Sequence, residues 1–243
     1  MTTQTKIALI TGASQRLGRS VAEALHDRGW NLALHCHRST EALAQLMLAF
    51  NGQREGSAHG FQADLAKTSD VRRMIKALSE HYPAFDLIIN NAAVFPETGL
   101  EDISPELFDN TMAINLKAPL MLCQGLLPQL NTGASIINFC DIFGQIPLAR
   151  HVVYSASKAA LIMATKSLAM DLAPRIRVNG IVPGAILSPA DTHDDAMLTS
   201  LLTKTPLGRL GGEAAIVQAV EYLIDNPYVT GQILPIDGGL SVS

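Results

Sequence analysis

Seven short runs rich in Ile, Val and Leu, at 7–11, 32–37, 61–64, 87–91, 135–140, 178–182 and 232–236, alternate with longer stretches of helical spacing. Runs this brief and this apolar read as strands covered on both sides. Their alternation with helices predicts one parallel sheet with helices on both faces, a doubly wound α/β fold of about seven strands. Leu17, Val21 and Leu25 recur every fourth residue after the first run, and Gly29 stands where a helix stop belongs. No repeat, low-complexity stretch or linker divides the chain, so a single domain over 1–243 is expected. Only 185–205 interrupts the alternation, with Pro189, Asp191, Asp194 and Asp195, and reads as a helical flap with too little apolar content for a core of its own.

The chain carries 18 basic and 22 acidic residues, a net charge of -4, and lacks the basic stripe of a nucleic-acid binder. With 48% apolar and 16% charged residues it has the makings of a folded core. No apolar run approaches the roughly 18 residues of a membrane helix. The opening segment leads into only four apolar residues, Ile7 to Ile10, too few for a secretion signal. Cys36, Cys123 and Cys140 are odd in number and widely spaced, so reduced thiols in a cytoplasmic protein are expected and no metal site is.

Thr11-Gly12-Ala13-Ser14-Gln15-Arg16-Leu17-Gly18 follows the first strand and opens the first helix. Such a turn lets backbone N–H groups approach a pyrophosphate at a helix N-terminus, which predicts a dinucleotide site. Arg16 either adds positive charge beside the phosphates and the substrate or faces water. The second strand ends in His35-Cys36-His37-Arg38-Ser39, with no Asp or Glu between Leu32 and Thr40 to hold a ribose 2′-hydroxyl. Arg38, helped by Ser39 and His37, suits a 2′-phosphate instead, so NADPH is favoured over NADH. Strand alternation puts His35 and His37 on one face, but no third metal ligand lies nearby. Asp64, closing the third strand, either accepts from an adenine amino group or caps the next helix.

Tyr154-Ser155-Ala156-Ser157-Lys158 places Tyr154 and Lys158 on one helical face. An ammonium beside a phenol favours the phenolate, so Lys158 is expected to lower the Tyr154 pKa and make it a proton relay.

The glycine turn, with Arg16 for its middle glycine, and the Tyr-x-x-x-Lys pair resemble those of the short-chain dehydrogenase/reductase family. So do Asn90-Asn91-Ala92-Ala93, Asn115, Pro183-Gly184 and 228–239. The resemblance implies a Rossmann-like reductase moving hydride from a nicotinamide, in most members a homotetramer. It places Gly12, Leu17, Gly18, Asn91, Ala92, Ser188, Tyr154 and Lys158 at the cofactor, with Pro183 and Gly184 shaping the nicotinamide site. It has Asn115 hold a water beside Lys158, against the plainer reading of an asparagine that bends a helix.

Most members carry a serine thirteen residues before the tyrosine; here that residue is Asp141. A carboxylate is a poor partner for a developing alkoxide and a good one for the N–H and amino groups of a nitrogen heterocycle. With Arg16 and the His-Arg-Ser run, Asp141 makes the chain resemble the pteridine reductase subgroup. That implies NADPH-dependent reduction of a dihydropterin (7,8-dihydrobiopterin, dihydromonapterin or dihydrofolate), with Asp141, Tyr154 and Arg16 at the substrate and Phe95 stacking on the pterin ring, unless Phe95 is a core residue. Ala93 and Val94 stand where protozoan members have two serines. His193, Asp194 and Asp195 either meet a hydroxylated side chain or are solvated. The alternative is a carbonyl-reducing relative acting on 3-oxoacyl thioesters or other ketones; a non-catalytic NADPH-binding scaffold is the third reading.

Overall fold

A computed structural model describes residues 5–187 and 195–243, with backbone alone at 195–198 and 200. The strands are β1 (Ile7–Ile10), β2 (Asn31–Cys36), β3 (Ala58–Gln62), β4 (Phe85–Asn90), β5 (Leu130–Phe139), β6 (Arg177–Pro183) and β7 (Ile233–Ile236). They form one parallel sheet in the order β3-β2-β1-β4-β5-β6-β7.

Side-chain alternation splits the core into two layers. Ala8, Ile10, Leu32, Leu34, Leu87 and Ile89 pack with α1 (Arg16–Asp27), α2 (Thr40–Gln53) and α8 (Glu213–Asp225). Ile7, Leu9, Ala33, Phe85 and Ile88 face α3 (Thr68–His81), α5 (Ala118–Leu126) and Ala169 of α6 (Val152–Leu172). Each fully buried Leu or Ile contributes roughly 1.5–3 kcal/mol of transfer free energy. The predicted fold is therefore the observed one.

Differences lie at element ends. β3 begins three residues before its apolar signal and stops at Gln62, because pairing with β2 runs from Leu32↔Ala58 to Cys36↔Gln62 on the sheet edge. Asp64 thus lies beyond the strand. β5 starts at Leu130, five residues early, where its stretch from Asn131 to Gly133 is polar and solvated. Within 185–205, Ser188, Pro189, Asp191, His193 and Asp194 lie outside the described residues, as does the Asp195 side chain. The ends of this segment are anchored: Ala185 and Ile186 are buried, and Leu201 of α7 (Asp195–Lys204) packs against a third apolar cluster containing Ile142 and Leu161. No helix among the described residues is long and apolar enough to cross a membrane.

Strand order reverses between β1 and β4. A crevice opens there at the C-terminal strand ends, where open α/β sheets bind ligands. Thr11, His35, Asn91, Asp141 and Pro183 all sit at or just beyond those ends.

Candidate active site

The glycine turn is packed to its limit. Gly12 has φ 65°, and a Cβ on Gly18 would collide with the Gly12 carbonyl and come within 2.6 Å of Asn91 Nδ2. Arg16, where the family pattern has glycine, adopts φ 51° with its side chain exposed, a left-handed conformation that costs a non-glycine residue roughly 1–2 kcal/mol. Asn91 and Ala92 grip this turn: Asn91 Nδ2 donates to the Thr11 and Gly12 carbonyls at 2.8 and 3.1 Å, and both residues donate backbone N–H groups to Thr11 Oγ1.

The second strand holds the turn from the other side. His35 is buried, accepts from Gly12 N–H through Nδ1 at 3.2 Å, and bonds the Ala63 carbonyl through Nε2 at 3.1 Å. Its own carbonyl accepts from Ala13 N–H at 2.9 Å. A ring accepting at Nδ1 and donating at Nε2 is neutral, and burial pushes its pKa down to about 4. His35 and His37 therefore do not share a face as a ligand pair: β2 ends at Cys36, His37 is exposed beyond it, and both His35 nitrogens are engaged.

Arg38 is exposed, and its guanidinium makes no hydrogen bond or ion pair to a described residue. Ser39 begins α2 with its side chain uncommitted to capping. Asp64 Oδ1 accepts from Ala66 N–H at 3.0 Å in a local turn and does not cap α3, which begins only at Thr68 after Lys67; Oδ2 lies 3.5 Å from Lys67 Nζ and 3.8 Å from His37 Nε2. The turn, the exposed arginine and the absence of an acid at the end of β2 fit a dinucleotide carrying a 2′-phosphate.

At the end of β5, Tyr154 Oη donates to Asp141 Oδ2 at 2.8 Å, and Asp141 Oδ1 accepts from Phe143 N–H at 2.9 Å. Lys158 Nζ donates to the Phe139 carbonyl at 2.8 Å and lies 5.9 Å from the Tyr154 ring centroid. The lysine is where its spacing puts it, but other groups set the acidity of the phenol. Burial, reinforced by the Asp141 carboxylate, raises the Tyr154 pKa and holds the phenol neutral. Burial also raises the Asp141 pKa, against the Phe143 N–H, Lys158 and Tyr154, and lowers that of Lys158. The aspartate, not the ammonium, occupies the phenolic hydrogen bond.

Asn115 lies in a π-helical segment, Ala113–Lys117, between α4 (Pro105–Met112) and α5. Its Oδ1 accepts from Val94 N–H at 2.9 Å, and its Nδ2 donates to the Val94 carbonyl and to Ser157 Oγ, both at 3.0 Å. Both amide protons and one Oδ1 lone pair are engaged, so the side chain pins the chain leading into Phe95 and ties it to α6 at Ser157. Phe95 is 53% exposed, which excludes the core reading. It stacks on His151 at 4.4 Å between centroids and meets Tyr154 edge-to-face at 4.5 Å. Pro183 ends β6, and Gly184 N–H bonds the Ile236 carbonyl. Ser188, expected at the cofactor, lies outside the described residues.

Residues 12–241 match a family model described as enoyl-(acyl carrier protein) reductase. A 3-oxoacyl-[acyl-carrier-protein] reductase of Staphylococcus aureus is 32% identical over 97% of this chain and 98% of its own. An uncharacterized oxidoreductase of Thermotoga maritima is 32% identical over 98% of both chains. The chain belongs to the short-chain dehydrogenase/reductase family. Among solved structures, a Serratia marcescens short-chain dehydrogenase/reductase mutant superposes with TM-score 0.91 at 28% identity, covering 98% of each chain. A blue fluorescent protein from a metagenomic library, in complex with NADPH, does so with TM-score 0.89 at 29% identity over 97% of each.

Within this oxidoreductase, sequence reasoning missed two contributors. Spacing offers His35 only as a metal ligand, although a histidine inside an apolar strand signals a buried, satisfied ring. His151 carries no sequence signal, because nothing in the spacing links it to Phe95, fifty-six positions earlier.

Proposed function

We propose that this short-chain reductase is an NADPH-dependent pteridine reductase that converts a 7,8-dihydropterin to its tetrahydro form. The observation that carries the reading is the 2.8 Å hydrogen bond from Tyr154 to the half-buried Asp141 carboxylate, in the place where relatives carry a hydroxyl. Bound NADPH supplies the hydride, delivered to C6 of the pterin. The Gly12–Gly18 turn holds its phosphates, Arg38 and Ser39 take the 2′-phosphate with His37 beside them, Asp64 borders the adenine, and Pro183 and Gly184 flank the nicotinamide.

The remaining work falls to side chains. Each carboxylate oxygen of Asp141 accepts one hydrogen bond and keeps a lone pair, so it accepts from the N–H and amino groups of a pterin without losing Tyr154. A serine hydroxyl there would donate to a carbonyl, which a carboxylate does not do. The nitrogen next to C6 gains the phenolic proton of Tyr154, which burial keeps proton-bearing, and Asp141, whose pKa burial raises, takes up a proton from solvent and passes it back to the phenolate. Phe95, half exposed and in edge contact with Tyr154, offers a flat apolar face to the bicycle. Arg16 borders the same crevice. Homotetrameric assembly and a cytoplasmic setting belong to the same proposal.

A second reading, reduction of a 3-oxoacyl thioester, is favoured by the Staphylococcus relative. NADPH oxidation by the purified protein separates the two. The proposal expects turnover of a 7,8-dihydropterin well above that of an acetoacetyl thioester; the reverse order would replace it with the second reading.

A further inference from the structure

We propose that His151 is a substrate-positioning residue: it is the rigid backing that fixes the plane of Phe95, so that a planar nitrogen bicycle can stack on the opposite face of that ring. The inference rests on the pteridine reductase reading and assigns a role to a residue outside the Tyr-x-x-x-Lys machinery.

A phenylalanine on a half-exposed loop has no intrinsic reason to keep one orientation, and ordering it costs rotamer entropy. Here the orientation is imposed. The Phe95 and His151 rings lie 4.4 Å apart with planes 25° from parallel, and the Tyr154 ring stands at 89° to Phe95 with centroids 4.5 Å apart. One broad face of Phe95 is thus covered by imidazole, the phenol stands perpendicular beside it, and the residue remains 53% exposed.

His151 is itself held. It is 9% exposed, and Nδ1 donates to the Ala149 carbonyl at 2.9 Å, which sets the imidazole plane. Its own carbonyl accepts from Ser155 N–H at 2.8 Å in the first turn of α6, one residue from Tyr154. The segment that carries His151 is sewn to the loop that carries Phe95. Thr98 pairs with His151 as an isolated parallel bridge, and Thr98 N–H donates to the Arg150 carbonyl at 2.6 Å. Arg150 Nε meets Glu97 Oε1 at 2.8 Å. Platform, backing and proton donor therefore form one connected unit, with Asn115 anchoring the loop at Val94.

A bicycle on Phe95 extends this stack to three parallel layers, with its edge toward Tyr154 and Asp141. Removing the backing frees the Phe95 ring. The energy of one aromatic pair corresponds to about 2- to 12-fold in affinity.

The test is steady-state kinetics with 7,8-dihydrobiopterin and NADPH, alongside equilibrium titration of methotrexate by fluorescence quenching. His151→Ala and His151→Leu should raise the dihydrobiopterin KM and the methotrexate Kd by about 3- to 10-fold, with the NADPH KM and kcat within about twofold. His151→Phe, which keeps the stack and loses the Ala149 bond, should restore both constants toward wild type. An unchanged KM and Kd in the Ala and Leu variants would overturn the inference, as would parallel loss of NADPH affinity and kcat. Should Ala and Leu variants fail to fold, His151→Phe with a dihydrobiopterin KM as high as that of a Phe95→Ala variant would overturn it too. Wild type that ignores dihydrobiopterin and reduces acetoacetyl thioesters defeats the pteridine reductase reading itself, a result visible before any variant is made.

Discussion

His35 ties the cofactor turn to the sheet through a neutral ring, and acid should undo that tie in a measurable way. Its pKa falls from 6.5 in an unfolded chain to about 4 in the folded protein, because burial disfavours the imidazolium. Above about pH 6.5 both states are neutral and the group contributes no pH dependence. As pH falls below that value the unfolded chain takes up a proton that the folded one refuses, so stability drops until the folded ring also titrates. Going from about pH 7.5 to about pH 5.5 this removes about 1.3 kcal/mol, and the loss saturates near 3.4 kcal/mol at strongly acid pH. Urea unfolding followed by Trp30 fluorescence is a suitable assay, because this lone tryptophan is buried immediately before β2. His35→Asn provides the control: His26 and His59, whose pKa values are also lowered by burial, titrate in both proteins and cancel. The wild-type advantage over the variant should shrink by about 1.3 kcal/mol across that interval. Equal losses in the two proteins would show that the ring is not held neutral and that Gly12 N–H does not depend on it.

Other perturbations probe the remaining parts of the site. Gly18→Ala drives a methyl into the Gly12 carbonyl and Asn91, and should raise the NADPH KM at least tenfold (about 1.4 kcal/mol) while the fold, read by circular dichroism, persists. Arg38→Ala tests the proposed charged hydrogen bond to the 2′-phosphate, of a kind that contributes about 1.5–3 kcal/mol: NADPH affinity should fall about 10- to 150-fold while NADH affinity, measured in parallel, stays near its wild-type value. Asp141 has a raised pKa from burial, so the proton-bearing form is lost as pH climbs through that value and turnover should decline there. In Asp141→Asn that limb of the pH–rate profile should vanish, and an unaltered profile would remove the carboxyl from proton delivery.

Much of this molecule is written in local pattern. Strand and helix alternation, the glycine turn with its strand on one side and helix on the other, and the four-residue step from Tyr154 to Lys158 all follow from neighbours along the chain. Each is legible because backbone periodicity needs no knowledge of the fold. The singling out of Asp141 comes from the family resemblance, which expects a serine thirteen residues before Tyr154, and also requires no coordinates.

Tertiary structure decided what those residues do to one another. Spacing alone has Lys158 set the acidity of Tyr154, yet burial and Asp141 set it in the opposite direction, because desolvation sums over every surrounding group and cannot be read from spacing. Asn115 and Val94 are 21 positions apart, Gly12 and His35 are 23, and the Phe95–His151 pair joins two loops; only the strand order brings them together. Sequence determined which chemistry the chain carries, and the packing of distant segments determined which partner each group meets and in which protonation state.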